Sequence, residues 1–168
     1  MEIISRTTAV LLLIILSPFL LIIGLGNLIL QGRPIIYRQK RVGKDFREFM
    51  IYKFRTMKNE DAGIDNFSLG QSVTITRWGR FLRKTKLDEL PQLANIIKGD
   101  MRFIGPRPEI PEYVSPDSFS FLNIIKPGLS GFSSILFRNE SEIWSMIDSE
   151  DPYRDILKIK VGLANYYV

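Results

Sequence analysis

Residues 6–33 read RTTAVLLLIILSPFLLIIGLGNLILQGR, and no ionisable side chain stands between Arg6 and Arg33. Val10 to Leu30 alone holds 16 Leu, Ile, Val and Phe residues. At about −0.3 to −0.6 kcal/mol each on an insertion scale, these favour lipid by several kcal/mol, more than Asn27 and Pro18 cancel. The run predicts a membrane-embedded helix over residues 1–32. A cleaved signal peptide is the competing reading, but the stretch outlasts a typical apolar core, no Ala-x-Ala site follows, and dense positive charge comes next. Ser17-Pro18 falls in the middle of the run, where proline lacks its N–H and clashes with the preceding turn, so a continuing helix would kink. Between Arg33 and Lys58 stand nine Lys and Arg against Asp45 and Glu48, which keeps the downstream chain in the cytoplasm; Arg6 also resists crossing. A re-entrant helix kinked at Ser17-Pro18 satisfies both ends, whereas a straight span exports the amino terminus, so the re-entrant form is favoured.

Residues 33–168 have the size of one ordinary domain with a single core. Cysteine and histidine are absent, which excludes disulfides, thiolate zinc sites, cysteine nucleophiles, imidazole acid–base chemistry and serine-histidine triads. Chemistry here has to come from carboxylates, Lys, Arg and a hard cation. A net charge of +5 beside 45% apolar residues suits an anionic membrane face or a phosphate-bearing substrate.

Pro34–Gln39 and Glu48–Met57 read as two strands joined by the Gly43-Lys44-Asp45 turn, with Lys53 and Arg55 on one face of the second, opposite Tyr52 and Phe54. Asn59–Gln71 is polar and acidic and reads as a loop. From Thr76, Arg77, Arg80, Arg83 and Lys84 recur at helical spacing with Trp78, Phe81 and Leu82 between them. That pattern suits a basic amphipathic helix at a membrane interface, with an ordinary solvated helix as the plain alternative. Leu87-Asp88-Glu89-Leu90-Pro91 opens a second helix running to Lys98 and stopped by Gly99. Pro106 and Pro108 flank Arg107 and restrict its loop, and Lys126-Pro127-Gly128 reads as a tight turn. Asn139 with Glu142 resembles a capping box and Asp151-Pro152 a capped helix start, so two short helices are expected last. The fold class is therefore α/β: a small mixed domain with an N-terminal re-entrant membrane helix, a short β-hairpin, and several helices, interfacial amphipathic ones among them.

Asp88-Glu89 can be simple helix capping. Two carboxylates about 4 Å apart, however, repel by up to roughly 4 kcal/mol at an effective dielectric near 20, against the ~1 kcal/mol a helix terminus returns. A cation is needed if they converge. Arg83, Lys84 and Lys86 precede the pair, and Arg102 and Arg107 follow it, offering groups for phosphate. Mg²⁺ accepts carboxylate and phosphate oxygens and needs no histidine. A carboxylate attacking phosphorus would give an acyl phosphate, one of the few covalent routes open to a chain without Cys or His.

Ser17-Pro18, Tyr52-Lys53-Phe54-Arg55-Thr56-Met57, Leu87-Asp88-Glu89-Leu90-Pro91-Gln92-Leu93, Lys98-Gly99-Asp100-Met101, Gly105-Pro106-Arg107-Pro108 and Lys126-Pro127-Gly128 together resemble the bacterial sugar transferases called monotopic phosphoglycosyl transferases. The resemblance covers most of the chain. It implies a re-entrant helix over residues 1–32 and a cytosolic catalytic domain over 33–168, held at the cytoplasmic face of the bacterial inner membrane. It further implies Mg²⁺-dependent transfer of a sugar phosphate from a UDP-sugar to a polyprenol phosphate such as undecaprenyl phosphate, with release of UMP, as the first membrane step of a glycoconjugate pathway. Asp88 matches the family's nucleophile, which carries a phosphosugar intermediate, and Glu89 its neighbouring acid, which assists with metal or acceptor. Arg83, Arg107 and Arg138 match its phosphate and nucleotide-sugar contacts; Lys53 and Arg55 are weaker matches supported by their shared strand face. The chain departs from the family's usual pattern at Met1–Ser5, at Leu136-Phe137 before Arg138, and at Ala164, where relatives carry an Asp.

Two readings stay open at this point: the enzyme, and a non-catalytic membrane module that binds anionic lipid or a nucleotide sugar. The expected partners are a UDP-sugar, a polyprenol phosphate and membrane phospholipid. Nucleic acid is not among them, since paired acids and a lipid anchor are poor companions for a polyanion. Oligomeric state is not set by the sequence; a homodimer is one option.

Overall fold

In the computed structural model, which describes residues 2–58, 74–137 and 151–167, the apolar run forms one helix, α1 (Glu2–Gln31), with Pro18 inside it. With a mean hydropathy of 2.8 over its most apolar stretch, α1 is long and apolar enough to cross or lie in a membrane. Leu11, Ile15, Leu21, Ile22 and Ile29 are each more than half exposed, which in water would be costly and in lipid is not. Pro18 cannot donate to the carbonyl of Ile14, and the Ser17 hydroxyl takes over, donating to that oxygen at 2.8 Å. The dipeptide thus breaks the ladder and repairs it locally, as an apolar medium requires. The expected loop at 59–71, the Asn139–Glu142 capping box and Arg138 lie outside the described residues.

By contact density the chain forms two compact units, residues 1–40 with 50–99, and residues 41–49 with 100–168. Strands β1 (Ile36–Val42) and β2 (Glu48–Phe54) pair as a two-stranded sheet. The expected hairpin forms, its first strand starting two residues later and ending three residues later than Pro34–Gln39. Its connection is a single 3₁₀ turn, Lys44–Phe46, with Asp45 at φ 55°, a left-handed position that Asp tolerates better than most residues.

The first unit also holds β3 (Met57–Lys58) antiparallel to β4 (Thr74–Ile75), α2 (Arg77–Thr85), a 3₁₀ helix at Leu87–Gln92, and α3 (Leu93–Lys98). Its core is Ile23, Phe54 and Leu82, with Leu20, Ile35, Trp78, Leu87 and Leu90 packed around them. A polar node binds α1 to this core. Asn27, fully buried, accepts from Trp78 Nε1 at 2.7 Å and from Gln31 Nε2 at 2.8 Å, and donates to the Arg55 carbonyl at 3.1 Å.

The second unit contains a parallel pair, β5 (Arg102–Ile104) with β6 (Gly128–Ser130), in register Arg102↔Gly128. The segment read as a tight turn therefore leads directly into a strand. Gly105 and Gly128 approach so closely that a Cβ at Gly128 would overlap the Gly105 backbone, a contact only glycine permits. Helices α4 (Phe132–Leu136) and α5 (Pro152–Tyr167) complete it. As the Asp151-Pro152 pattern predicts, Asp151 caps α5, accepting from Arg154 N at 3.0 Å. Val42, Phe119, Phe121, Leu122, Leu157 and Val161 form the core.

Candidate active site

Helix α2 begins at a Thr76 cap, whose hydroxyl accepts from Gly79 N at 2.9 Å, and ends at Lys86, held in the left-handed region at φ 59°. That reversal launches the 3₁₀ helix. With three residues per turn, positions i and i+3 align, so Leu87 and Leu90 both pack on the Ile23–Phe54–Leu82 core while Asp88 and Glu89 are turned away from that face. The expected helix over Leu87–Lys98 is thus two elements, 3₁₀ through Gln92 and α from Leu93. Pro91 accounts for the break, because in an α-helix its ring would press on the Leu87 carbonyl and leave it without a donor.

Within this unit the carboxylates differ. Glu89 is half-buried and its Oε1 lies 3.3 Å from Lys53 Nζ, an ion pair between the 3₁₀ helix and β2. Asp88 is buried, 7% exposed, and its Oδ1 is sealed from solvent with no hydrogen-bond partner. Burial pushes the Asp88 carboxyl above the usual carboxylate range; Lys53 opposes this, Glu89 adds to it, and Arg83 and Lys86 oppose it. A buried, unpartnered oxygen surrounded by cations is a poor structural group and a good candidate for chemistry.

Arg83 projects from α2 and its Nε donates to the Thr56 hydroxyl at 2.9 Å. Arg55 has a different use. Its guanidinium donates to the carbonyls of Arg33 at 2.9 Å and Gly32 at 2.9 Å, and to that of Gln31, closing the carboxyl end of α1. Arg55 and Lys53, which alternation sets on one strand face, therefore hold different partners. Arg107 belongs to the second unit, half-buried between buried Pro106 and Pro108.

Among the described residues no cluster of three or more acidic, His or Cys side chains is present. Mg²⁺ does not need one, since it is commonly held by one or two carboxylates and completed by water and substrate phosphates. The donor set of Asp88 and Glu89, with an unpartnered Asp88 oxygen, fits such an ion. Two residues that stand in the quoted motifs carry no role in the sequence reading: Thr56, whose link to Arg83 spans 27 residues, and Gln92, 1% exposed with an unpartnered Nε2.

Residues 1–163 match the protein family described as bacterial sugar transferase. A UDP-N-acetylgalactosamine-undecaprenyl-phosphate N-acetylgalactosaminephosphotransferase from Aeromonas hydrophila is 36% identical, covering 76% of this chain and 32% of the relative. A UDP-glucose:undecaprenyl-phosphate glucose-1-phosphate transferase from Klebsiella pneumoniae is 33% identical over 89% of this chain and 34% of the relative. An undecaprenyl-phosphate galactose phosphotransferase from Salmonella typhimurium is 34% identical over 79% and 31%. The chain spans about a third of the length of each of these three relatives.

Proposed function

This chain belongs to the bacterial sugar transferase family, and from that premise we propose that it transfers a sugar phosphate from a UDP-sugar to undecaprenyl phosphate, through a phosphosugar carried on Asp88. The observation that carries this reading is the asymmetry of the acid pair: Glu89 is committed to Lys53, while Asp88 keeps a buried oxygen without a partner. The Asp88 carboxylate attacks the sugar-bearing phosphorus of the donor; an O–P bond forms, the bond joining the two phosphates breaks, and UMP departs with the electron pair. A phosphate oxygen of the polyprenol then attacks the same phosphorus, and Asp88 leaves as the free carboxylate. Each displacement moves negative charge among phosphate oxygens, and Arg83 and Lys53 supply the positive field that offsets it. Asp88 and Glu89 are the residues that would hold Mg²⁺, which would supply charge neutralisation on the diphosphate. Three relatives named for three different sugars support the reaction class and leave the sugar open.

The acceptor lives in lipid, and α1 supports a site at the bilayer surface on its cytoplasmic side. Arg6 lies against Gly99 at the end of α3, so that a Cβ there would strike its guanidinium, while Asn27 and Gln31 bond to Arg55. Both ends of α1 thus touch the same compact unit. A helix threaded straight through the bilayer would separate those ends by about 30 Å of hydrocarbon, so the contacts favour a helix that dips in and returns. The exposed Arg80, Phe81 and Lys84 of α2 suit phospholipid headgroups nearby. Purified protein in detergent or nanodiscs, given Mg²⁺, undecaprenyl phosphate and a panel of UDP-sugars, should release UMP from at least one, and D88N should not. No release from any donor would leave a non-catalytic binder instead.

A further inference from the structure

Thr56 follows Arg55 and precedes β3, and is 6% exposed. It meets α2 twice. Its carbonyl fills the space where a Cβ of Gly79 would stand, and its hydroxyl accepts the Nε–H of Arg83 at 2.9 Å. Gly79 and Arg83 are one α-helical turn apart, so both contacts come from the same face of α2. The absence of a side chain at Gly79 brings the helix close enough for the second contact to form.

A guanidinium has five N–H donors in one plane, and binding it through Nε fixes the plane while leaving the two terminal nitrogens pointing the other way. Among the described residues the Thr56 contact is the hydrogen bond Arg83 makes, and Arg83 is otherwise exposed. Its terminal nitrogens make no hydrogen bond among the described residues, although burial already depresses the guanidinium pKa, and in that form they can take two oxygens of a phosphate at once. Arg83 and Asp88 stand on either side of the Lys86 reversal in the same compact unit, each within electrostatic reach of the other.

The geometry points to Thr56 as a positioning residue for phosphate recognition: by accepting Nε–H it sets the rotation of Arg83 and aims its terminal edge at a nucleoside diphosphate beside Asp88, an assignment that rests on the transfer reaction proposed above. Without the hydroxyl, the charge remains but the long side chain regains its rotamers, so binding suffers through orientation rather than electrostatics. Arg55, the preceding residue, serves the carboxyl end of α1, and Thr56 serves the site; adjacent residues divide anchoring from recognition.

The test uses the full chain in nanodiscs with Mg²⁺, and two measurements: UDP binding by calorimetry, and the KM for the UDP-sugar in UMP release. T56V should weaken UDP about tenfold, the scale of one hydrogen bond to a charged group, and raise the donor KM similarly while leaving the KM for undecaprenyl phosphate unmoved. T56S should restore both. In an Arg83→Lys background, which keeps charge but lacks Nε–H, T56V should add nothing further. If T56V folds poorly, Thr56→Ala read against T56S makes the same comparison. UDP binding indifferent to the hydroxyl, T56S as weak as T56V, or full additivity with Arg83→Lys would each overturn the role of Thr56. UMP release with UDP binding indifferent to Thr56 sinks this role and leaves the transferase standing; no UMP release with UDP binding still dependent on the hydroxyl does the reverse.

Discussion

At position 88 burial and charge pull in opposite directions. Burial holds the carboxyl above its ordinary range while Lys53, Arg83 and Lys86 draw it back. A carboxyl whose pKa is higher in the folded than in the unfolded chain binds its proton more tightly when folded. Its stabilising contribution is therefore present below the ordinary carboxylate range and is lost as pH rises through the raised value. Above that value the ionised Asp88 is a burden on the fold, so at such a pH D88N should melt several degrees higher while UMP release falls about a thousandfold or more. An equal or lower melting temperature would show that the oxygen is satisfied after all. The same carboxyl must be ionised to attack, so the acid limb of kcat/KM should lie above the usual carboxylate range. Lys53→Met, which removes the largest opposing charge, should move that limb to higher pH, and Glu89→Gln should move it lower; a limb insensitive to both would place the titrating group elsewhere.

Two elements carry the positioning. The polar node at the end of α1 joins Asn27, Gln31, Trp78 and the Arg55 carbonyl, and removing its centre strands several buried groups at once. Asn27→Leu, although more lipophilic, should therefore destabilise the first unit by about 2–4 kcal/mol, read as a lowered unfolding midpoint in detergent. The 3₁₀ helix is the second. The sequence signalled a helix start at Leu87 and its stop at Gly99, both of which stand. It did not reveal the 3₁₀ winding, because leucines at i and i+3 fit either helix and only the conflict between the Pro91 ring and the Leu87 carbonyl decides. Strands β5 and β6, three residues each, are too short for alternation to register. Thr56 and Arg83 are linked only by tertiary packing, which no local pattern encodes, whereas α1, the hairpin and the Asp151 cap rest on local chemistry and were legible.

For the whole molecule, an apolar helix with both ends on one compact unit fits a protein that sits in one leaflet. The absence of cysteine makes this directly testable, because Glu2→Cys and Lys84→Cys would each carry the single thiol. In vesicles of known orientation both should react with a membrane-impermeant maleimide from the cytoplasmic side; labelling from opposite sides would mean that α1 crosses. Over most of its length the chain matches relatives named for different sugars, so the reaction proposed for it is a displacement at phosphorus with the sugar left open. That displacement can be caught. Incubated with a UDP-sugar that it turns over, but without undecaprenyl phosphate, and quenched rapidly, the intact protein should gain the mass of one sugar phosphate, mapped to Asp88 and absent from D88N. UMP release with no adduct at any quench time, or an adduct that persists in D88N, would contradict a covalent role for Asp88.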